Sequence, residues 1–521
     1  MLGLCAVASV AAIAWSWQNG ALLNYGDAIA HLHIARRFID CRFHSIAELG
    51  SVWLPLPHLL MLPFVQVYRW WADGLAGAIP SAFAYLAACL GIFRLARRWL
   101  EPPAAALALA FFALNPNLLY LQTTAMTEPL FLCEMIWTAV WLVEWRASLD
   151  RDPKRASRLQ GWIVAVLIAA VYTRYDGWVI ALLAWTAMGI TLLRHGRLRS
   201  RSFWIGSVLL VAAPVGWFVY NASSFGDWLE FARGPYSAKA IELRTATHGA
   251  GPLHPGWHNP WISLQFFLKV SDMDSLAAAW GKLGLALSVL GTAGAWVTMR
   301  RRAFTWTLLL WLPVPFYMYS VAYGSVPIFI PVWWPHSWYN TRYGMELLPA
   351  LALGLGCAAQ FVLSLAREFK PRWTRYAALA MAALVALNAW KLVRERPLVY
   401  VEGTKNSAAR RPFDENIPPV LRKLVAGRPG GAVLMNTSVY PELVASTGIP
   451  LRQTINESDQ YIYRNALAAP ATHAAIVLAF DGDEIDRAVK AHPAGLLAVG
   501  RYSARGQASG TIYVSDTWHR E

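Results

Sequence analysis

Long apolar runs separated by short polar stretches make up about the first three quarters of the chain. Most of the runs are about 16 to 22 residues long, which is the length of helix that crosses a lipid bilayer. The pattern predicts eleven transmembrane helices, of which the one at 161–172 is short. No cationic residue precedes the first run, which favours an uncleaved first span over a cleaved signal peptide. The predicted spans are residues 2–22, 76–93, 102–121, 129–145, 161–172, 178–193, 203–221, 275–298, 304–322, 343–365 and 376–393.

The pattern changes after about residue 394, where short apolar runs begin to alternate with amphipathic stretches. This alternation predicts a small α/β domain. We therefore divide the chain into a membrane domain, residues 1–393, and a soluble domain, residues 394–521, with a proline-rich joint at Pro412, Pro418 and Pro419. Strands are predicted at 432–437, 474–480, 496–500 and 511–514, and helices at 440–446, 459–467 and 483–492.

The charged residues support a membrane protein and indicate its orientation. They make up only 15% of the chain, against about 25% in ordinary soluble domains. The net charge of +15 is concentrated between apolar runs. Roughly 19 Lys and Arg fall in about 48 residues of loop on one side, against roughly 10 in about 137 on the other. The positive-inside rule places the basic loops in the cytoplasm. Loops 23–75 and 222–274 and the C-terminal domain are then extracytoplasmic, and the charge gives no reason to expect a nucleic-acid partner.

The first outer loop contains the most informative polar residues. Helical spacing places Asp27 and His31 on one helix face directly after the first span, and His58 follows later in the same loop. Carboxylates at membrane depth are costly and are usually kept for chemistry or for ion pairing. The simpler alternative is that Asp27 caps an interfacial helix.

Two further outer loops contain charged residues. Glu128 is the single charge of its loop, and the following Pro129 leaves open a capping role at the start of the next span. Arg174 and Asp176 lie in a very short loop, where a local ion pair is an alternative to a functional role. We include Glu128 as a catalytic candidate, and Arg174 and Asp176 as substrate-binding candidates together with His31 and His58.

A fourth outer loop ends at the mouth of a span with Arg342 and Tyr343. The Arg342 side chain could extend to the interface, but a guanidinium also fits a phosphate well. We expect Arg342 and Tyr343 to contact a phosphate of the substrate. Because four separate loops on the same side contribute charges, the sequence predicts one extracytoplasmic site near the bilayer.

A site at the membrane surface fits a substrate with a polar head and a lipid tail. In a sugar linked to polyprenyl phosphate, the phosphate is a good leaving group, and a nearby cation is sufficient to stabilise it. The acceptor hydroxyl needs a general base. Asp27 could supply this base for an attack that inverts the anomeric carbon.

These residues resemble motifs of the GT-C superfamily of integral-membrane glycosyltransferases, particularly the protein O-mannosyltransferases and the aminoarabinose lipid A transferases. The resemblance implies transfer of a sugar from a polyprenyl-phosphate donor to an extracytoplasmic glycan, lipid or protein, within the bacterial inner membrane. It also implies that Asp27 is the catalytic base, Glu128 the second acid and Arg342 the lipid-phosphate contact. The motifs are GDAIAHLHIARRF (residues 26–38), WLPLPHLLMLPF (53–64), TEP (127–129), RY (342–343) and LLPAL (347–351).

The sequence leaves open whether a metal ion takes part and which other functional classes compete with a glycosyltransferase. Ala28 stands where many protein mannosyltransferases have a second acid, so both a protein acceptor and a metal held by paired acids are in doubt. The sequence establishes no cofactor, and it leaves open a divalent metal ion held by Asp27 and Glu128. The DxD motifs at 272–274 and 481–483 are better explained as helix caps, and no HExxH motif occurs. The competing classes are a transporter or flippase of lipid-linked glycans, and a non-catalytic scaffold.

Overall fold

The computed structural model describes residues 1–245, 253–298 and 301–518. Part of the predicted outer loop 222–274 lies outside the described residues, as does Arg300 of the predicted cytoplasmic loop at 299–303. The fold is mostly helical, with one small sheet near the C-terminus.

The elements are numbered in chain order. The α-helices are α1 (Leu2–Gln18), α2 (Gly26–Arg37), α3 (Leu56–Val65), α4 (Tyr68–Asp73), α5 (Leu75–Ala96), α6 (Pro102–Ala113), α7 (Pro116–Leu121), α8 (Glu128–Ser148), α9 (Pro153–Thr173), α10 (Tyr175–Arg194), α11 (Arg201–Phe225), α12 (Glu230–Arg233), α13 (Ala238–Thr245), α14 (Pro260–Ser275), α15 (Gly281–Thr298), α16 (Arg301–Phe304), α17 (Pro313–Tyr323), α18 (Leu348–Phe369), α19 (Pro371–Arg394), α20 (Leu398–Ala426), α21 (Pro441–Thr447), α22 (Tyr461–Ala468), α23 (Pro470–His473) and α24 (Glu484–Ala491). The 3₁₀ helices are Ala21–Leu23, Ile46–Leu49, Thr305–Trp311, Thr341–Leu347, Leu451–Gln453 and Glu457–Asp459. The strands are β1 (Val433–Leu434), β2 (Thr454–Ile455), β3 (Ile476–Phe480), β4 (Leu496–Tyr502) and β5 (Gly510–Ser515).

Several helices can cross a membrane, which confirms an integral membrane protein. Within the described residues, six helical segments are long and apolar enough. Shorter apolar helices include Leu2–Gln18 and Pro102–Ala113. Each of the eleven predicted spans is helical over most of its length. The six long segments are Leu75–Ala96, Pro153–Thr173, Tyr175–Arg194, Arg201–Phe225, Thr341–Phe369 and Pro371–Ala426.

Two of the predicted spans that differ from the observed helices do so for clear reasons. The short run at 161–172 belongs to α9, which is 21 residues long. The first turns of α9 are basic, so the apolar run is shorter than the helix. The helix begins where the Asp152 side chain accepts a hydrogen bond from the Arg155 amide. The predicted span 275–298 is shorter than expected, because α14 ends at Ser275 and α15 begins only at Gly281.

The chain forms two compact units, each built from separate segments. The first unit comprises Met1–Ser16, Ser51–Pro57 and Ile79–Glu402, and the second comprises Trp17–Gly50, His58–Ala78 and Gly403–Glu521. The division that we predict near residue 394 stays a prediction. Within the first unit, α15 and α18 approach closely at two glycines. A Cβ built on Gly291 would lie 2.2 Å from the Gly354 carbonyl oxygen, so small residues allow this helix contact.

The sheet of the second unit confirms the predicted α/β pattern. Its strand order is β2-β1-β3-β5-β4, with β1 parallel to both β2 and β3, and β5 antiparallel to both β3 and β4. Each predicted strand overlaps an observed one, and β2 escaped prediction because it is only two residues long. The buried core of the sheet includes Leu434, Val477 and Ile485. The proline-rich stretch that we predict as a joint instead lies inside α20.

Segments of the first predicted outer loop pack against the sheet-containing segment within the second unit. The Tyr68 hydroxyl donates a 2.9 Å hydrogen bond to the Ala445 carbonyl. The Asp40 carboxylate accepts a hydrogen bond from the Leu451 amide at 3.3 Å. These contacts explain why parts of the chain that are 377 to 411 residues apart belong to one unit.

Candidate active site

A buried cluster of charged side chains in the first unit centres on Glu128. Its Oε1 accepts hydrogen bonds from Arg174 Nη1 at 3.2 Å and from Arg342 Nε at 3.0 Å. Glu128 is the first residue of α8, Arg174 lies between α9 and α10, and Arg342 lies in the 3₁₀ helix that precedes α18. Three loops that are far apart in sequence therefore meet at one carboxylate.

All three guanidinium nitrogens of Arg174 contact oxygen atoms of the protein. Nε donates to Asp176 at 3.1 Å, and Nη1 donates to the Thr127 hydroxyl and to Glu128. Nη2 donates to the Tyr317 hydroxyl at 2.9 Å and lies 3.0 Å from Glu346 Oε1. Since a guanidinium has five N–H donors, these contacts account for its hydrogen-bonding capacity.

The carboxylates around Arg174 keep it charged despite its burial. Burial alone would lower the pKa of its guanidinium, but Asp176, the Tyr317 hydroxyl, Glu346 and Glu128 together raise the pKa well above its ordinary value. Arg174 therefore provides a permanent positive charge inside the cluster.

Glu402 fixes the start of the 3₁₀ helix that carries Arg342. Its carboxylate accepts hydrogen bonds from the backbone amides of Asn340 at 2.8 Å and Thr341 at 2.9 Å, and from the Thr341 hydroxyl at 2.5 Å. Its Oε1 also lies 3.4 Å from Arg342 Nη1. Asn340 has a positive φ of 55°, so the carboxylate stabilises a turn in the left-handed region.

Asp274, at the end of α14, lies against the same 3₁₀ helix. A Cβ built on Gly344 would lie 2.5 Å from Asp274 Oδ2. Both carboxylate oxygens of Asp274, together with Glu128 Oε2 and Glu346 Oε2, are buried without a hydrogen-bond partner among the described residues. These oxygens can accept hydrogen bonds from a bound hydroxyl or amine.

Two tyrosine rings complete the cluster. The Tyr343 ring centroid lies 5.1 Å from the Arg174 guanidinium carbon and 5.0 Å from that of Arg342. Its ring also stacks on Tyr317 with centroids 5.2 Å apart. These cation–π and stacking contacts restrict the orientation of both guanidinium groups.

The structure brings together five of the residues predicted for the site, namely Glu128, Arg174, Asp176, Arg342 and Tyr343. The local Arg174–Asp176 pair that we gave as an alternative is present, and Arg174 reaches further residues as well. Capping does not account for Glu128, since its side chain points to the two arginines and the N-cap Thr127 makes no side-chain cap. The catalytic and binding roles of these residues stay predictions.

The other three predicted site residues, Asp27, His31 and His58, belong to the second unit. Asp27 is half-buried in the first turn of α2, whose N-cap is Tyr25, so a simple N-cap role for Asp27 is wrong. His31 Nδ1 and His58 Nε2 lie 2.8 Å apart, and both rings are buried. The two imidazoles are hydrogen-bonded to each other inside the second unit, and their predicted substrate-binding role stays a prediction.

The two DxD motifs lie at different positions relative to their helices. The Asp483 carboxylate caps α24 by accepting a hydrogen bond from the Asp486 amide, which confirms the capping prediction there. For the motif at 272–274 that prediction is wrong, because Asp272 and Asp274 lie at the end of α14. Across the described parts of the chain, no group of three or more His, Cys, Asp or Glu side chains could hold a metal ion.

Sequence reasoning missed three members of the cluster. Glu346 gave a usable signal, because it is an isolated carboxylate inside the predicted span 343–365. Tyr317 lies in an apolar run where tyrosine is unremarkable, and Glu402 lies in a stretch of mixed polarity. Only tertiary contacts reveal these two residues.

The comparison with solved structures finds several similar chains, and one of them is an ArnT. The crystal structure of ArnT from Cupriavidus metallidurans bound to undecaprenyl phosphate aligns with 99% of this chain and 99% of its own, with a TM-score of 0.52 and 13% sequence identity. The chain has the ArnT fold. This finding confirms the predicted fold, a polytopic helical membrane domain with a small α/β part near the C-terminus. No family model and no curated protein matches the sequence.

Proposed function

We propose that the protein is a membrane glycosyltransferase that transfers a sugar from a polyprenyl-phosphate donor to an extracytoplasmic acceptor with inversion. The observation that carries this proposal is the buried Glu128–Arg174–Arg342 cluster, which occurs within an ArnT-like fold. The ArnT structure contains undecaprenyl phosphate, so a donor of this chemical class suits the fold. The bacterial inner membrane is the location we propose for the protein.

In this proposal Arg342 contacts the donor phosphate. Arg174 helps to position Arg342 through Glu128, which accepts hydrogen bonds from both guanidinium groups. Arg174 makes protein contacts through every nitrogen, so its charge acts through the groups it holds. Glu128 and Glu402 orient the Arg342 guanidinium from two sides. A preorganised cation of this kind stabilises charge that develops on a leaving phosphate.

The chemical step forms one bond and breaks another at the anomeric carbon. The acceptor oxygen attacks this carbon while the bond to the phosphate oxygen breaks on the opposite face, which inverts the configuration. The hydroxyl proton passes to a general base, and we assign this base to Asp27 from its resemblance to the GT-C motif. The electron pair leaves with polyprenyl phosphate, whose charge Arg342 stabilises.

The excess of acids in the cluster also fits a sugar-binding role. Two guanidinium groups face the carboxyls of Glu128, Asp176, Glu346 and Glu402. The buried oxygens that lack a partner within the described parts of the chain are hydrogen-bond acceptors. Sugar hydroxyl groups are donors of matching chemistry, and they would offset the cost of burying these oxygens.

The position of the cluster favours an enzyme over the alternative, a transporter or flippase of lipid-linked glycans. Glu128 begins α8, Arg174 lies between two helices, and Arg342 lies at the start of the segment Thr341–Phe369. Transporters place their polar groups near the bilayer midplane at interrupted helices. The charges described here instead gather at helix ends, as expected for a site at the membrane surface.

The test measures release of free polyprenyl phosphate from a panel of polyprenyl-phosphate sugars. The purified protein is placed in lipid nanodiscs with a crude acceptor extract, beside Asp27→Asn, Arg342→Ala and the control Arg411→Ala. Arg411 has a side chain that is 68% exposed, so its loss should leave release unchanged. Release that Asp27→Asn and Arg342→Ala abolish would support the proposal. No release from any donor would favour the transporter.

A further inference from the structure

A groove lies in the first unit, away from the charged cluster. It has a volume of about 860 Å³ and lies between α10 and the 3₁₀ helix Thr305–Trp311. Its walls are largely apolar, and several of the side chains are also partly exposed on the protein surface. The apolar lining includes Leu183, Ala187, Ile190, Leu308 and Leu312.

One end of this groove is basic. Arg146, Arg194 and His195 line it there, at the ends of α8 and α10, next to loops that we predict in the cytoplasm. Asp150 partly offsets their charge, since it pairs with Arg146 at 3.2 Å and His195 at 3.1 Å. Arg146 and Arg194 together with Asp150 give a formal net charge of +1 at this end of the groove.

The groove is separate from the candidate active site. Glu128 begins α8 and Arg146 lies in its last turn. A helix rises 1.5 Å per residue, so the two residues are about 27 Å apart along the helix axis. The polar group of a molecule bound in the groove would therefore lie near the C-terminal end of α8. The proposed sugar transfer takes place at the N-terminal end of the same helix.

We infer that the groove binds an anionic phospholipid of the cytoplasmic leaflet. The phosphate diester would contact Arg194 and Arg146, and an acyl chain would lie against the apolar wall formed by α10 and the 3₁₀ helix. Basic pockets between transmembrane helices on the cytoplasmic side are suited to anionic lipid headgroups. Charge complementarity favours this occupant over a zwitterionic phospholipid, because the headgroup cation of a zwitterionic lipid would offset the attraction between its phosphate and the arginines.

Lipid binding should stabilise the folded protein, since a ligand that binds only the folded state shifts the unfolding equilibrium. The test uses protein purified in a neutral detergent. Phosphatidylglycerol or phosphatidylcholine with identical acyl chains is added, and we measure the thermal unfolding midpoint and the lipid retained in native mass spectrometry. We expect phosphatidylglycerol to raise the unfolding midpoint and to remain bound, and we expect phosphatidylcholine to do neither.

Three variants test the assignment of the binding site. Arg194→Gln should weaken phosphatidylglycerol retention about fivefold, as expected for the loss of one cation near a lipid surface. Ala187→Trp should block the groove and abolish retention. The control Arg158→Gln removes an exposed cation of a neighbouring helix that does not line the groove, and it should retain lipid normally.

Several outcomes would overturn the inference. Equal retention of the two phospholipids would show that the groove does not select an anionic headgroup. Unchanged retention in both Arg194→Gln and Ala187→Trp would place the lipid elsewhere on the protein. Displacement of phosphatidylglycerol by equimolar polyprenyl phosphate would identify the groove as a second site for the donor lipid.

Discussion

At the scale of single residues, Arg174 and Glu128 show how the cluster is organised. Arg174 contacts oxygens from Thr127, Asp176, Tyr317 and others, while Glu128 Oε1 joins Arg174 to Arg342. Breaking a buried ion pair by removing one partner leaves an uncompensated charge in a low-dielectric environment. The Glu128 carboxylate is therefore expected to stabilise the fold as well as to orient Arg342.

We expect Glu128→Gln to lower the free energy of unfolding by about 3 kcal/mol. This is the low end of the usual range, because Asp176 and Glu402 still contact the two guanidinium groups. The change should also abolish sugar transfer. Thermal unfolding and donor turnover, measured in the same nanodisc preparation, check both expectations.

The control for Glu128→Gln is Glu144→Gln, at the other end of α8. Glu144 pairs with Arg94 and Arg155, whose side chains are about half exposed, and such pairs contribute about 0–1 kcal/mol. Equal losses in the two variants would show that burial of the ion pairs does not decide their strength. Normal turnover by Glu128→Gln would remove Glu128 from the proposed mechanism.

Glu442 gives the second unit a dependence on pH. Burial raises the pKa of its carboxyl to about 7, and Asp414 adds to the rise, while Arg410 opposes it. Because this pKa is higher in the folded than in the unfolded state, the folded protein binds the proton more tightly. The resulting stabilisation is complete below about pH 4.5 and disappears as the pH rises through 7.

We predict that Glu442→Gln removes this pH dependence. A glutamine carries no charge, so above pH 7 the variant avoids the cost of a buried carboxylate and should be more stable than the native protein by up to about 3 kcal/mol. The measurement compares the unfolding midpoints of the two proteins at intervals from pH 5 to 8. A difference between them that stays constant across this range would contradict the prediction.

At the scale of elements, the 3₁₀ helix Thr341–Leu347 positions much of the site, since it carries Arg342, Tyr343 and Glu346. Glu402 holds its first residues, and α14 packs against its centre at Gly344. A Cβ at Gly344 would lie within 2.8 Å of backbone atoms of Ser271 and Val270. Backbone cannot move aside as a flexible side chain can, so this helix position requires glycine.

Gly344→Ala should therefore displace the 3₁₀ helix and destabilise the protein by about 1–3 kcal/mol. We expect a larger KM for the donor, because Arg342 moves with the helix. The control is Gly161→Ala, since a Cβ built on Gly161 meets no atom within 4 Å, and alanine favours a helix. Unaltered stability and KM in Gly344→Ala would show that α14 adjusts to the added methyl group.

The elements differ in how far the sequence predicts them. The apolar runs predict the helices well, because burial in a bilayer requires continuous apolar sequence. The pattern underestimates the length of α9, because the first turns of this helix are basic and amphipathic. It also misses β2, which is too short to show alternation. In the site, loops with isolated charges indicate Glu128, Arg174 and Arg342. Glu402 and Tyr317 join them through long-range contacts that no local pattern encodes.

At the scale of the whole molecule, the distribution of basic residues predicts the orientation in the membrane. The segments that build the second unit come from a predicted outer loop and from the C-terminal part of the chain. They are separated in the sequence by most of the predicted spans. A compact unit built from these two segments requires both of them on the same side of the membrane. The distribution of basic residues predicts that both are extracytoplasmic.

Single-cysteine labelling tests this orientation. The five native cysteines are free in the described structure, so they are first replaced by serine or alanine. Gln507→Cys, in the exposed turn after β4, should react with a membrane-impermeant maleimide on intact cells. Arg158→Cys should react only after permeabilisation. The reverse pattern would place the proposed active site in the cytoplasm.

The long sequence separations within the cluster have a consequence for synthesis on the ribosome. Glu128 precedes Arg174 by 46 residues and Arg342 by 214 residues. At about 5–20 residues per second, Arg174 emerges several seconds after Glu128, whereas Arg342 follows after about 10–40 seconds. The nascent chain therefore depends on Arg174 alone to neutralise Glu128 during most of its insertion. Arg174→Ala should consequently reduce the amount of protein inserted by the translocon more than Arg342→Ala, as pulse-chase membrane fractionation would measure.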